Sequence, residues 1–97
     1  MVQTLRSVKV MAGEKRIVIK KPHVSQRIFF SICVIRPPEE WHDMRISFDD
    51  PEFTSFFYLS GGRKWFDAEG ADIFQGDVWV YNASSVDIWV SSTEILR

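Results

Sequence analysis

Gly76-Asp77-Val78-Trp79-Val80-Tyr81-Asn82-Ala83-Ser84-Ser85-Val86-Asp87-Ile88-Trp89-Val90-Ser91 is the stretch on which the fold turns. Val78 and Val80 alternate with Trp79 and Tyr81, and Ile88 and Val90 alternate with Asp87 and Trp89. A β-strand sends successive side chains to opposite faces, so each half reads as a strand with one aliphatic side. Taking Ala83 to Ser85 as a three-residue loop predicts a hairpin in which Asn82 faces Val86, Val80 faces Ile88, Val78 faces Val90 and Trp79 faces Trp89. A one-residue slip would set tryptophan against valine and mix the faces. The aliphatic side fits a core. Trp79, Trp89 and Tyr81 then form an aromatic strip beside Asp87, which is either covered within the subunit, as aromatics commonly are, or exposed as a contact surface.

The same grammar extends outward along the chain. Leu5 to Val10 and Lys15 to Lys20 flank Gly13-Glu14, and a glycine-led two-residue turn predicts a second hairpin with Val10 facing Ile17 and Val8 facing Ile19. Pro22 interrupts the pattern, since it has no N–H to give a ladder. Gln26 to Ile35 follows as the most apolar strand, with Ile28, Phe30, Ile32 and Val34 on one face and Phe29, Ser31, Cys33 and Ile35 on the other. Pro37-Pro38-Glu39-Glu40 reads as an extended connection. Met44, Ile46 and Phe48, alternating with Arg45 and Ser47, mark a half-buried strand, Asp49-Asp50-Pro51 a turn, Phe53 to Leu59 a further strand, and Gly61-Gly62 a reversal into Arg63 to Phe66. Seven to nine short strands with turn residues between them predict an all-β fold, a single antiparallel β-sandwich over residues 1–97, with the jelly roll as one form of it.

Composition narrows the class of function. A chain of 97 residues has room for one domain, and a core of that size gains stability from oligomerisation or docking. Twelve basic and thirteen acidic residues give a net charge of −1, which offers no general attraction to nucleic acid or to anionic membranes. No apolar run approaches the roughly 18–20 residues that span a bilayer, and Arg6 and Lys9 occupy the start where an export signal is apolar. A soluble protein made without export is the expectation. Cys33, the lone cysteine, sits in an apolar run with no histidine or cation beside it and reads as a filler of the core.

The side chains that could carry chemistry do not assemble into a catalytic pattern. His23 and His42 are far apart with Cys33 between them, which is not zinc-ligand spacing. Asp49, Asp50 and Glu52 lack the spacing of an EF-hand. Glu39, Glu40, Asp67 and Glu69 fall in expected loops with nothing to single out a pair. Neither Ser60 nor Ser84-Ser85 has the context of an activated nucleophile, and Gly61-Gly62-Arg63-Lys64 is not a phosphate loop. The expectation is no enzyme, no cofactor and no metal. Asn82-Ala83-Ser84 matches a glycosylation acceptor pattern, read here as a turn. Lys15, Arg16, Lys20 and Lys21, with Arg27 close behind, are read as solvated strand edges guarded by cations, or as a surface for an acidic partner.

Phe74-Gln75-Gly76-Asp77-Val78-Trp79-Val80-Tyr81-Asn82-Ala83-Ser84, followed by Ile88 to Val90 and by Thr93-Glu94-Ile95, resembles the C-terminal hairpin of short β-sandwich virion proteins of tailed bacteriophages. The likeness covers about a quarter of the chain. It implies a non-enzymatic protein made in the bacterial host cytoplasm that joins the virion, foremost as a capsid decoration (cement) protein. Such proteins sit as trimers or dimers on the major capsid protein and reinforce the shell. A tail or baseplate component is the alternative within the same resemblance. The extended N-terminal arm of some cement proteins is missing, because strand pattern starts near Leu5. On this reading Trp79, Trp89, Tyr81, Trp41 and Trp65 are the interface anchors and residues 36–43 a loop that reaches a neighbour. The competing class is a carbohydrate-binding module, in which the same rings stack on sugars while Asp87 or Asn82 binds hydroxyls.

Overall fold

A computed structural model describes residues 2–4, 7–22, 26–34, 44–58, 63–67 and 74–96. They contain no helix and nine strand segments: β1 (Val2–Thr4), β2 (Val8–Val10), β3 (Lys15–Ile19), β4 (Arg27–Val34), β5 (Met44–Phe48), β6 (Phe57–Tyr58), β7 (Arg63–Asp67), β8 (Val78–Asn82) and β9 (Ile88–Leu96). The chain is all-β, in two antiparallel sheets. One runs β1-β9-β4-β7, with β2 also on β9; the other runs β3-β8-β5-β6. Three strands of five or more residues carry each sheet, β4, β7 and β9 in one and β3, β5 and β8 in the other, which is fewer full strands than the expected seven to nine. Of the expected strand from Phe53 to Leu59, Phe57 and Tyr58 are strand among the described residues, Phe53 takes a left-handed backbone (φ 54°) foreign to a strand, and Leu59 lies outside the described residues.

Pairing is nested rather than sequential. β2 pairs with β9, β3 with β8, β4 with β7 and β5 with β6, as if one long hairpin had been rolled up. Both expected hairpins are therefore corrected. β8 and β9 lie in different sheets, as do β2 and β3, so Val80 has Arg16 and Ile46 beside it rather than Ile88, and Trp79 has Ile17 and Ser47 rather than Trp89. Arg63–Asp67 likewise returns along β4 instead of along Phe57–Tyr58. The physical reason is common to all three. Alternation reports which face a side chain takes, and two successive strands satisfy it equally well side by side or across a core from one another.

The connections show how the chain crosses between sheets. Glu14 N–H donates to the Met11 carbonyl (2.9 Å), closing a turn whose third residue, Gly13, has φ 78°. That is the position where a type II turn requires positive φ, in place of the glycine-first turn expected from sequence. Asn82 then ties both crossings together. Its main-chain N–H donates to Glu14 O (3.0 Å), its carbonyl accepts from Gly13 N–H (2.7 Å), and its buried side-chain amide donates to Val10 O (3.0 Å) and Val86 O (2.8 Å). Its Oδ1 accepts from the Ser84 N–H and hydroxyl at 3.0 and 2.6 Å, so Asn-Ala-Ser does form a local turn.

Val10, Val18, Ile19, Phe30, Ile32, Val34, Met44, Ile46, Val78, Val80, Ile88 and Val90 form one core cluster drawn from both sheets. Fully burying such side chains contributes about 1.5–3 kcal/mol each. The aliphatic faces expected of β5, β8 and β9 are those found inside, whereas Cys33, expected to fill the core, is only half-buried, because alternation along β4 turns it away from the side that Ile32 and Val34 bury. Two register shifts break the alternation. One between Ile17 and Ile19 lets Val18 and Ile19 both turn inward. The other, between Arg27 and Phe29, leaves Ile28 half-buried and brings Arg27 to the core side together with Phe30.

Candidate functional site

The face of the β3-β8-β5-β6 sheet turned away from the core carries the densest cluster of chemically distinctive side chains. Antiparallel register places Lys15, Tyr81, Arg45 and Tyr58 in one row across all four strands, with Ile17, Trp79 and Ser47 in the next. Lys15 Nζ lies 5.3 Å from the Tyr81 ring and Arg45 Cζ 5.4 Å from the same ring, so two cations share one aromatic. Arg45 also stands 5.0 Å from Phe56 and 5.9 Å from Tyr58, two exposed rings that meet edge to face at 81°.

The segment after β5 is folded over this face. Pro51 follows Asp50 in a turn closed by Phe53 N–H to Asp50 O (3.1 Å), as the Asp-Pro pair suggested. The Ser47 hydroxyl donates to the same carbonyl (2.8 Å), while Asp50 Oδ2 accepts from Thr54 Oγ1 (2.8 Å) and Ser55 N–H (2.9 Å). These bonds hold the Asp50 carboxyl below its ordinary range, with the Ser55 N–H the leading cause. They also seat Phe53 edge-on against Tyr81, 5.7 Å between ring centres, where Phe53 is buried and Lys15 closes over it.

A second apolar patch belongs to the other sheet. Trp89 is 42 % exposed on β9, opposite Lys9, and Met11 and Val86 are exposed on the two crossings that Asn82 joins. Asp87 lies between them. It accepts from Ala12 N–H (3.0 Å) and pairs with Lys9 (3.4 Å), and these contacts, the Ala12 bond first, hold its carboxyl below the usual range.

The expected anchors are thus divided. Tyr81 and Trp79 are half-buried on one sheet and Trp89 is exposed on the other, so the single strip of Trp79 facing Trp89 does not exist. Trp65 lies on β7, paired with Ser31, with its side chain outside the described residues; Trp41 and the 36–43 loop lie outside them altogether. Sequence reasoning passed over Arg45, Phe53, Phe56 and Tyr58. Arg45 was legible as the polar half of an alternating strand, but nothing in the sequence showed that the following turn would fold its aromatics back onto it.

Two further expectations change. Arg27 is no surface cation. It is fully buried, its Nε donates to Glu94 Oε2 (2.8 Å), and its Nη atoms donate to the carbonyls of Phe74 (2.9 Å), Gly76 (3.0 Å) and Lys20 (3.1 Å). Asn82, suggested as a sugar ligand, is buried and engaged in both crossings. Asp49 accepts from Asp77 N–H (2.8 Å), and among the described residues no three His, Cys, Asp or Glu side chains gather as metal ligands would. The chain matches no family model, and searches of curated proteins and of solved structures likewise find no match.

Proposed function

We propose that the protein is a β-sandwich of jelly-roll type that acts without catalysis, as a structural component holding neighbouring proteins together. Nested pairing over β2 to β9, with strand orders β2-β9-β4-β7 and β3-β8-β5-β6, supports the jelly roll. That architecture serves viral shell proteins and lectins alike, so the function is argued from the surfaces. One observation carries it: exposed apolar side chains stand on both sheets, Met11, Val86 and Trp89 with one and Phe56 and Tyr58 with the other. Two such patches on different faces suit a piece that meets two neighbours. The phage resemblance of Phe74 to Ser84 supplies the setting, a tailed-phage particle, with capsid decoration as the first reading and a tail or baseplate position as its alternative.

A carbohydrate-binding module is the second reading, favoured by exposed Tyr58 beside Arg45. Sizing by light scattering together with a glycan array separates the two. An oligomer indifferent to sugars is expected, and a monomer that binds saccharides would replace the assembly reading.

A further inference from the structure

We infer that the outward face of the β3-β8-β5-β6 sheet receives an acidic segment of a partner protein, with a carboxylate seated against Arg45 and Lys15. The inference rests on the assembly reading above and specifies what that partner must bring.

Charge compensation is uneven across the molecule. Lys9 has Asp87 and Arg27 has Glu94, whereas among the described residues no carboxylate pairs with Lys15 or Arg45. Arg45 is half-buried, and among the described residues its Nε is the lone buried side-chain polar atom without a hydrogen-bond partner. Rings surround it, and rings offset a cation's desolvation only in part. Lys15 and Arg45 flank Tyr81 from β3 and β5, 5.3 and 5.4 Å from its ring centre. An anion on the solvent side of that ring lowers the potential at both cations and accepts hydrogen bonds from the guanidinium.

The neighbouring rings indicate the rest of the occupant. Phe56 and Tyr58 are exposed and nearly perpendicular, so they form no common plane on which a run of bases or sugar rings could lie. Side chains of a polypeptide fit such a corner, an apolar residue against the rings and Asp or Glu beside it.

The test pans a displayed library of random twelve-residue peptides against the intact immobilised protein, then measures synthetic versions by fluorescence anisotropy. Recovered peptides are expected to set Asp or Glu next to an apolar residue, and to bind at least tenfold more weakly once those acids become amides. Arg45→Gln and Lys15→Gln should each produce a comparable loss with the thermal midpoint unchanged; if Arg45→Gln fails to fold, Lys15→Gln, at an exposed position, decides. An oligo-dT strand and polygalacturonate are run as rival anions. Peptides without acidic bias, no peptides at all, binding indifferent to both substitutions, or tighter binding of either rival would each overturn the inference. So would self-association that is lost in Arg45→Gln, since a second copy would then be the occupant. Both variants go through the same light-scattering measurement, so retained oligomers with no acid preference sink this inference and leave the assembly reading standing.

Discussion

Arg27 Nε donates to Glu94 Oε2 at 2.8 Å with both side chains buried, and the pair fastens β4 and β9 to the segment entering β8. The strap has a main-chain half as well. Gln75 accepts from Arg27 N–H (2.7 Å) and donates to Arg27 O (2.6 Å), so its side-chain amide stands in for a strand neighbour at the register shift. The Phe30 ring, 5.2 Å from the guanidinium carbon, covers the inner side.

Removing one member of such a pair leaves the other charged and buried, a loss of about 3–5 kcal/mol. Arg27→Met and Glu94→Met are each expected to lower the unfolding free energy read from urea titration by that amount, a large share of the roughly 5–15 kcal/mol that holds a small domain folded. The double variant should recover only part. It removes the stranded charge, yet the carbonyls of Phe74, Gly76 and Lys20 still lose their donor. Full recovery in the double variant would show that the ion pair alone matters and that the carbonyl contacts add nothing.

Asn82→Ala takes the side-chain donor from Val10 O, while Val86 O keeps the Ser84 hydroxyl (3.0 Å), and a main-chain acceptor left dry costs on the order of 1–3 kcal/mol. Amide hydrogen exchange is the discriminating measurement. Protection should fall at Ser84 before the core strands are affected, because its N–H bonds the Asn82 Oδ1 that the substitution removes, whereas the Gly13 N–H bonds the main-chain carbonyl that alanine keeps. A uniform loss across β4 and β9 would mean that the crossings are not the local unit Asn82 controls.

What could be read from sequence divides along a physical line. Strand existence and face were legible, because Val78, Val80, Ile88 and Val90 obey a two-residue period that any sheet imposes. Partner choice was not, since Trp79 satisfies its face equally beside Trp89 or beside Ile17 and Ser47. Arg27 was misread because the shift at Ile28 inverts alternation locally, and no residue type announces a bulge there. The cation and ring face was hidden for a different reason: it joins Lys15, Arg45 and Tyr81 from three separate strands, and only the nested pairing aligns them.

Acid should weaken the fold through two exposed carboxylates. Asp50 and Asp87 both titrate below their ordinary values in the folded state, held mainly by the Ser55 and Ala12 N–H groups. A depressed folded pKa contributes stability that is complete above the unfolded value, about 3.9, and is lost as pH falls through the folded value. Thermal midpoints are therefore expected to hold from neutrality down to about pH 5 and to drop below about pH 4. Asp50→Asn and Asp87→Asn should each flatten that acid limb, and an unchanged slope in both would remove these groups as its cause.

Trp89 and Val86 give the assembly reading its sharpest mutational check. Each is more than two-fifths exposed, at 42 % and 45 %, so replacing them with serine sacrifices little core burial. Surface changes of this kind usually alter stability by no more than about 0.5 kcal/mol. If the patch is a contact, the same changes remove a central aromatic anchor, and such anchors commonly carry about 2 kcal/mol or more of binding. Trp89→Ser with Val86→Ser is therefore expected to leave the melting transition in place while weakening association by about thirtyfold or more in sedimentation velocity, the factor that 2 kcal/mol represents. Tyr58→Ser on the other sheet provides the comparison, because a two-sided component loses only one of its contacts with each change. Association untouched by either substitution would show that neither patch meets a neighbour.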